Sequence, residues 1–340
     1  MKLLITGGCG FIGSNFIRYI IKKHPTYKII NVDKLTYAGN LENLKGLEKK
    51  KNYHFIKADI CNTLLMRRIF KKFKPDGVIN FAAETHVDRS ITTPSVFIKT
   101  NVVGVGVLLN LSLEYNIKKF MQISTDEVYG SINRGNCHEK SPLNPSSPYA
   151  ASKAAADGLV MAYHTTYNLP VLITRSSNNY GPFQFPEKLI PLVILNTLGD
   201  KKIPVYGDGL NIRDWIYVED NCAALDLVFH KGGIGEIYNI GGGNEKTNIS
   251  VIKKILKLLH KDYSLITYVK DRPGHDRRYA LSIRKIKKEL GWRPQTNFDT
   301  GIKKTIQWYR KNSEWLQNTQ SGAYRRFYKK YYSKLGLNQF

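Results

Sequence analysis

The sequence predicts an α/β fold: a doubly wound parallel sheet with a smaller C-terminal lobe. Three observations predict it. Short apolar runs alternate with helical patterns through the first half of the chain, as in a parallel sheet covered on both faces. A glycine-rich turn, Gly7 to Gly13, joins the first apolar run to the first helical pattern. Past about Asn178 the texture changes. Pro182, Pro186, Pro191 and Pro204 interrupt it and Gly207-Asp208-Gly209 marks a turn, so a second lobe begins there.

Taken in order, residues 3–5 read as a strand and Phe11–Lys23 as a helix. Further strands are expected at 28–32, 53–56, 77–81 and 120–123, with helices at Thr63–Phe73 and 95–114 between them. Another strand is expected at 170–174, and strands return at 215–218 and Glu236–Ile240. Residues 249–260 form a basic amphipathic pattern. This gives one domain over 1–177, with returning segments near 215–245, and a lobe over 178–340.

Lys and Arg total 52 against 27 acids, a net charge of +25. Such an excess suits nucleic acid, an anionic membrane or an anionic small substrate. The basic residues are dispersed in small groups such as Lys22-Lys23 and Lys71-Lys72, which is how a lysine-rich solvated surface reads. With no RNA-binding motif and no aromatic–basic patch, no nucleic-acid partner is expected. No apolar run of transmembrane length is read from the sequence, and no membrane partner is expected. Residues 1–6 are too short for a signal segment before the glycine turn. Cys9, Cys61, Cys137 and Cys222 are widely spaced and form no C-x-x-C pair. Neither a zinc site nor a disulfide framework is expected, and a reducing cytoplasm fits.

Gly7, Gly10 and Gly13 follow the spacing G-x-x-G-x-x-G. Such a turn lets a pyrophosphate approach the backbone at a helix N-terminus, where free N–H groups and the dipole favour anions. Asp33 ends the second strand twenty positions past Gly13, where an acid bonds an adenine-ribose hydroxyl. A carboxylate there repels a 2′-phosphate and favours NAD over NADP, although Lys34 is adjacent. Asp59 and Ile60 end the third strand, beside the adenine. Cys9 within the turn carries a thiol open to oxidation.

Tyr149 and Lys153 lie four apart and share a helix face, with Pro148 suiting the helix start. An ammonium beside a phenol favours the phenolate, so Tyr149 can take a proton from an alcohol. At the end of the fifth strand come Thr125, Asp126 and Glu127. Two adjacent acids there face the crevice of a doubly wound sheet. They suit a second proton transfer if their pKa values are pushed apart. Thr125 is placed to hydrogen-bond a substrate hydroxyl or Tyr149.

These motifs together resemble the extended short-chain dehydrogenase/reductase family, whose fold is Rossmann-like with a C-terminal substrate-binding lobe. Within it the chain looks like the nucleotide-sugar 4,6-dehydratases. The likeness runs from the glycine turn to Ser321–Tyr324 and is carried by D-K-L-T-Y-A-G-N from Asp33, H-V-D-R-S-I from His86 and S-T-D-E-V-Y-G from Ser124. Later pieces are S-N-N-Y-G-P from Ser177, P-E-K-L-I-P from Pro186, R-D-W-I-Y-V-E-D from Arg213 and D-R-P-G-H-D-R-R-Y-A from Asp271. Epimerases of the family usually carry small residues where Asp126 and Glu127 stand.

The resemblance implies dTDP-glucose as substrate, NAD as cofactor and a homodimer. It also implies a division of labour. Tyr149 oxidises carbon 4, passing hydride to NAD. Glu127 removes the proton at carbon 5, Asp126 protonates the departing 6-hydroxyl, and the hydride returns to carbon 6. The cofactor set it implies is Phe11, Ile12, Asp33, Lys34, Leu35, Thr36, Asp59, Ile60, Ala82, Ala83, Glu84, Thr85, His86, Thr100, Tyr149, Lys153 and Asn179. The sugar-nucleotide set is His86, Thr125, Asn178, Lys188, Leu189, Pro204, Val205, Tyr206, Arg213, Asn248, Asp271, Arg272, Pro273, Gly274 and His275. Arg213 and Arg272 suit bidentate contacts to a diphosphate, or surface salt bridges if taken singly. Other readings are an NAD-dependent epimerase or decarboxylase of the same fold, a basic nucleic-acid-binding protein, and a catalytically silent NAD sensor.

Overall fold

The computed structural model describes residues 1–319; Ser321–Tyr324 and the rest of the C-terminus lie outside the described residues. Its strands are β1 (Lys2–Thr6), β2 (Lys28–Asp33), β3 (Tyr53–Lys57), β4 (Gly77–Asn80), β5 (Lys119–Thr125), β6 (Val171–Ser176), β7 (Asn178–Tyr180), β8 (Ile203–Tyr206), β9 (Ile212–Tyr217), β10 (Glu236–Ile240), β11 (Glu245–Thr247) and β12 (Ile266–Val269). Seven of them form one parallel sheet in the order β3-β2-β1-β4-β5-β6-β10. The chain reverses its direction of travel across the sheet between β1 and β4, which opens a crevice at the carboxyl ends of those strands.

The helices are α1 (Phe11–Lys23), α2 (Thr63–Phe73), α3 (Val87–Thr92), α4 (Pro94–Ile98), α5 (Gly104–Glu114), α6 (Pro148–Tyr167), α7 (Leu189–Leu198), α8 (Val218–Lys231), α9 (Asn248–Leu258), α10 (Arg284–Leu290), α11 (Phe298–Lys311) and α12 (Ser313–Thr319). One apolar core joins Ile5, Phe16, Ile20, Leu225 and Phe229 beneath α1 and α8. A second joins Leu4, Phe70, Leu108 and Val160 on the opposite face, beneath α2, α5 and α6. Both faces of the sheet are therefore covered, as its near-continuous apolar strands require.

A third core, built on Tyr180, Trp215, Phe298 and Trp315, holds the smaller lobe. There β7, β9 and β11 form one small sheet, and β8 pairs with β12 in another. Residues 215–217, read from sequence as part of a strand, lie in β9 of this lobe. The chain returns to the large sheet with α8 and β10.

The pattern at 95–114 predicts one unbroken helix. The structure interrupts it with a π-turn at Lys99–Val103, between α4 and α5. Asn101 explains the widening: its amide reaches outside the helix to Glu84 N–H, Glu84 C=O and Ser152 Oγ, at 2.8, 3.0 and 2.9 Å. Such turns often mark functional sites, and this one carries Thr100. The whole stretch Pro94–Glu114, mean hydropathy 1.7, is long and apolar enough to cross a membrane by length and composition, contrary to the sequence reading. It packs against α6, and Val96, Ile98 and Val103 on it stay exposed.

Asp226 on α8 gathers a cationic cluster. His24 Nε2 and His230 Nδ1 each lie 3.0 Å from its Oδ1, and Lys23 Nζ lies 3.1 Å from its Oδ2. Burial pushes this carboxyl up, but His230, Lys23 and His24 outweigh it and hold it down to about 2. A depressed carboxyl stabilises the fold above its unfolded pKa and loses that contribution as pH falls toward its folded value. His230, hydrogen-bonded to Asp226, is raised, so its contribution is present at low pH and is lost as pH rises through its folded pKa. The cluster therefore stabilises most between about pH 4 and 6.5. Asp226→Asn costs about 2 kcal/mol in that window, with a deficit that narrows below about pH 4. Urea melts across this pH range check it.

Candidate active site

The crevice at the switch point widens into a cleft of about 1580 Å³, its mouth included. The glycine turn forms one end. A Cβ on Gly7 would sit 2.5 Å from Ala82 N, and one on Gly13 would sit 2.4 Å from Gly7 O. Those two glycines are demanded by the packing of the turn on β4 and on itself. Gly10 differs: its Cβ would meet a single protein atom, Gly7 O at 3.3 Å. It caps α1 with no side-chain hydrogen bond to the first turn. The cradle for an anion therefore sits at Gly10, Phe11 and Ile12.

Asp33 ends β2 with its carboxylate folded back on the turn, accepting from Cys9 N–H at 2.9 Å and Leu35 N–H at 2.8 Å. Leu35 takes a left-handed backbone (φ 56°) to make this bond. Lys34 pairs with Asp59 at 2.7 Å. The adjacent cation is thus directed at Asp59 across the edge of the cleft. The Cys9 thiol is fully buried and pushed up to about 12 by burial and then by Asp33. It is a thiol and not a thiolate, so the oxidation expected of it has no reactive species to start from.

At the other end stand the acids and the phenol. Thr125 ends β5, and residues 126–129 close one tight helical turn. The Thr125 hydroxyl accepts from Glu127 N–H and donates to Asp126 Oδ1, both at 3.2 Å. Gly130 then takes φ 71°, where a Cβ would strike Asn144 O. Asp126 is 3% exposed, and its Oδ2 has no hydrogen-bond partner. Burial, then the neighbouring Glu127 and Asp214, push it well above the usual carboxylate range. Glu127 is also raised by burial, but Arg272, Lys188 and Arg213 pull it back. Both acids are thus raised, but three cations oppose the rise at Glu127, whereas two neighbouring acids add to it at Asp126.

Tyr149 and Lys153 project from the first turns of α6, which Ser147 caps through its hydroxyl at 3.1 Å from Ala150 N–H. The Tyr149 ring meets Phe97 edge-on at 6.3 Å. Its phenol is raised by burial first and by Glu127 next, with the Thr125 hydroxyl opposing. The burial that dominates this shift is not visible in the spacing of Tyr149 and Lys153. The Lys153 ammonium instead donates to Ile123 C=O at 2.5 Å, and burial brings it down to about 8.

The cleft brings together Gly7, Gly10, Phe11, Ile12, Gly13, Asp33, Lys34, Thr36, Asp59, Ile60, Ala82, Ala83, Glu84, Thr85, Thr100, Thr125, Asp126, Glu127, Tyr149, Lys153, Asn178, Asn179 and Lys188. It leaves Leu35, His86, Leu189, Asn248, residues 204–206, Arg213 and residues 271–275 outside its lining. Of these, Arg213 and Arg272 still act electrostatically on Glu127. Neither is a surface salt bridge. Arg213, 5% exposed, donates to the Ile212 and Asp276 carbonyls, and Arg272 spans the lobes to Asp88 at 3.0 Å. Val205 is buried in the small lobe's core. His275 meets Tyr206 edge-on at 6.2 Å and bonds Asp271 at 2.6 Å. His86 caps α3, and burial brings it down to about 3, a neutral ring. The buried oxygens Asn178 Oδ1, Asn179 Oδ1 and Asn248 Oδ1 have no hydrogen-bond partner. Buried polar atoms of this kind are expected to find one.

Sequence reasoning missed Glu187. It lines the cleft, accepts from Tyr37 OH at 3.1 Å, and is raised by burial to about 7. Its signal was its place in P-E-K-L-I-P, where only the following Lys188 and Leu189 were singled out.

A glycine turn, the acid that ends β2, a tyrosine and a lysine from α6 and two adjacent acids in one cleft at the switch point fit a nucleotide-binding α/β enzyme. The chain belongs to the family described as GDP-mannose 4,6 dehydratase, whose model matches residues 4–305. It is 52% identical to dTDP-glucose 4,6-dehydratase of Shigella flexneri, over 95% of this chain and 97% of that protein. The crystal structure of dTDP-glucose 4,6-dehydratase from Bacillus anthracis in complex with NAD superposes with a TM-score of 0.88 at 51% identity, covering 94% of this chain and 99% of that one. That of the dTDP-glucose 4,6-dehydratase from Streptomyces venezuelae with NAD and TYD bound gives 0.90 at 47%, covering 93% and 98%.

Proposed function

We propose that the protein is an NAD-dependent hydro-lyase of nucleotide-sugar biosynthesis. It converts dTDP-glucose to dTDP-4-keto-6-deoxyglucose and water. One observation carries the reading: two adjacent acids, Asp126 raised further by neighbouring acids and Glu127 opposed by cations, share a cleft with Tyr149 and Lys153. An epimerase or decarboxylase of the same fold has no use for the acid pair.

The residues present fit the dinucleotide. The uncapped start of α1 at Gly10 suits its pyrophosphate, Lys34 is engaged with Asp59, and Asn179 offers an unmatched oxygen. When bound, NAD supplies the hydride acceptor and donor and a positive charge beside the phenol. Tyr149 takes the proton of the 4-hydroxyl, which Thr125 orients, and Lys153 steadies the phenolate. The resulting ketone acidifies carbon 5, Glu127 removes that proton, and Asp126 donates to the leaving 6-hydroxyl. Arg213, Arg272 and Lys188 hold the anionic nucleotide part at the lobe boundary. The domain assignment follows: residues 1–177, with the returning α8 and β10, bind NAD, and the remainder binds the sugar nucleotide.

The exposed Val96, Ile98 and Val103 on a long apolar helical stretch support a homodimer in which a second copy covers that face. The four unpaired thiols suit a reducing cytoplasm, to which we assign it.

The test is incubation with dTDP-glucose carrying deuterium at carbon 4. A keto sugar absorbing in alkali with label at carbon 6 supports the reading. Formation of dTDP-galactose, or no reaction, overturns it. The glycines give a separate expectation. Gly10→Ala keeps the melting temperature within about 2 °C while weakening NAD binding about ten-fold. Gly13→Ala lowers the melting temperature itself. Melting curves and NAD titration separate the two.

A further inference from the structure

The catalytic scheme leaves a fully buried ion pair behind the site unused. Asp157 sits one helical turn past Lys153 on α6 and is 1% exposed. Its Oδ2 accepts from Ser124 Oγ at 3.0 Å and from Arg175 Nε at 2.9 Å, while Oδ1 has no hydrogen-bond partner. Arg175, on β6 and 3% exposed, continues to Tyr129 OH at 2.9 Å, and that hydroxyl donates to Asn239 Oδ1 on β10 at 2.9 Å. The chain of bonds thus joins the helix of the phenol–amine pair to the strand end and turn that carry the acid pair. Burying two opposite charges is justified energetically only when both are well bonded, and this pair, with one Asp157 oxygen left unmatched beneath Lys153, asks for a role.

We infer that Asp157, locked by Ser124 and Arg175 one helical turn past Lys153, is a positioning residue that fixes the Lys153 amine against the end of β5. The inference rests on the proposed dehydratase reading and deepens it. Lys153 is 4% exposed, and a buried ammonium without a nearby carboxylate loses its proton readily. The titratable groups around this pocket are Tyr149 on α6 itself, Asp126, Glu127 and Tyr129 on the turn after β5, and Arg175 on β6. Asp157 is the group whose charge opposes the effect of burial on Lys153. Burial raises Asp157 itself, and Arg175 is the first of the groups that oppose that rise.

The experiment compares pH profiles of dTDP-glucose turnover by full-length wild type, Asp157→Asn and Asp157→Glu, with melting curves for each. In Asp157→Asn the alkaline limb of kcat moves down by about one pH unit, so turnover at pH 8 falls about ten-fold relative to turnover at pH 6.5, with KM little changed. Asp157→Glu keeps the charge and holds the limb at its wild-type position. A limb that stays put in a folded Asp157→Asn overturns the inference. So does a limb displaced in Asp157→Glu, which keeps the test alive if the asparagine variant does not fold. A wild type that makes no keto sugar removes the dehydratase reading. A wild type that does, with superimposable limbs, removes this inference alone.

Discussion

Glu127→Gln halts the reaction after its first half: reduced nicotinamide forms and persists, and keto-sugar release falls by about a thousand-fold. Glutamine keeps the shape of the side chain and can accept a hydrogen bond, but it cannot take a proton from carbon. The first half is expected to survive for an electrostatic reason. Glu127 is the largest influence after burial in disfavouring the Tyr149 phenolate. Removing its charge makes the phenol easier to ionise, so oxidation at carbon 4 should start at lower pH than in the wild type. In deuterated water, wild type exchanges the proton at carbon 5 and Glu127→Gln does not. Exchange at the wild-type rate in the variant would take the base role away from Glu127. Asp126→Asn provides the contrast: exchange at carbon 5 persists, because its base is intact, while loss of the 6-hydroxyl slows.

That contrast depends on the two neighbouring acids having different charges, which the sequence alone does not fix. Adjacency at a strand end announced a pair. How far each is raised depends on Asp214, Arg213, Lys188 and Arg272, drawn from distant stretches of chain. The local features were legible. Phe11–Lys23 and Thr63–Phe73 were read to the residue because their patterns are local, and the structure bounds them with the glycine turn and with an Asn62 cap. The break at Lys99–Val103 was invisible, since apolar periodicity continues through it and its cause is the long-range bonding of Asn101. The burial of Tyr149 was invisible for the same kind of reason. Spacing shows the lysine four residues away, but it shows neither the burial of the ring nor the direction in which the ammonium bonds. Asp157 and Arg175 are 18 residues apart, on a helix and a strand. No motif links them, and only the sheet brings them together.

Tyr149→Phe is expected to abolish both halves at once: neither reduced nicotinamide nor keto sugar forms, each falling by about a thousand-fold or more. The ring should stay where it is. Its edge-on contact with Phe97 and the small apolar cluster with Val87 do not involve the hydroxyl, so the melting temperature should change little. A fold-preserving loss of all chemistry separates Tyr149 from Glu127, whose loss spares the first half. The raised phenol sharpens the expectation. A buried tyrosine flanked by two acids is a poor base unless positive charge adjoins it. Wild-type oxidation should therefore climb with pH until Lys153, at about 8, begins to lose its proton, giving a bell-shaped profile for the first half-reaction. Reduced nicotinamide followed by absorbance in single-turnover mixing, for wild type and Tyr149→Phe across that range, is the measurement. Undiminished reduction in the phenylalanine variant would show that some other group takes the 4-hydroxyl proton, and Glu187, raised to about 7 on the same cleft wall, would be the next residue to replace.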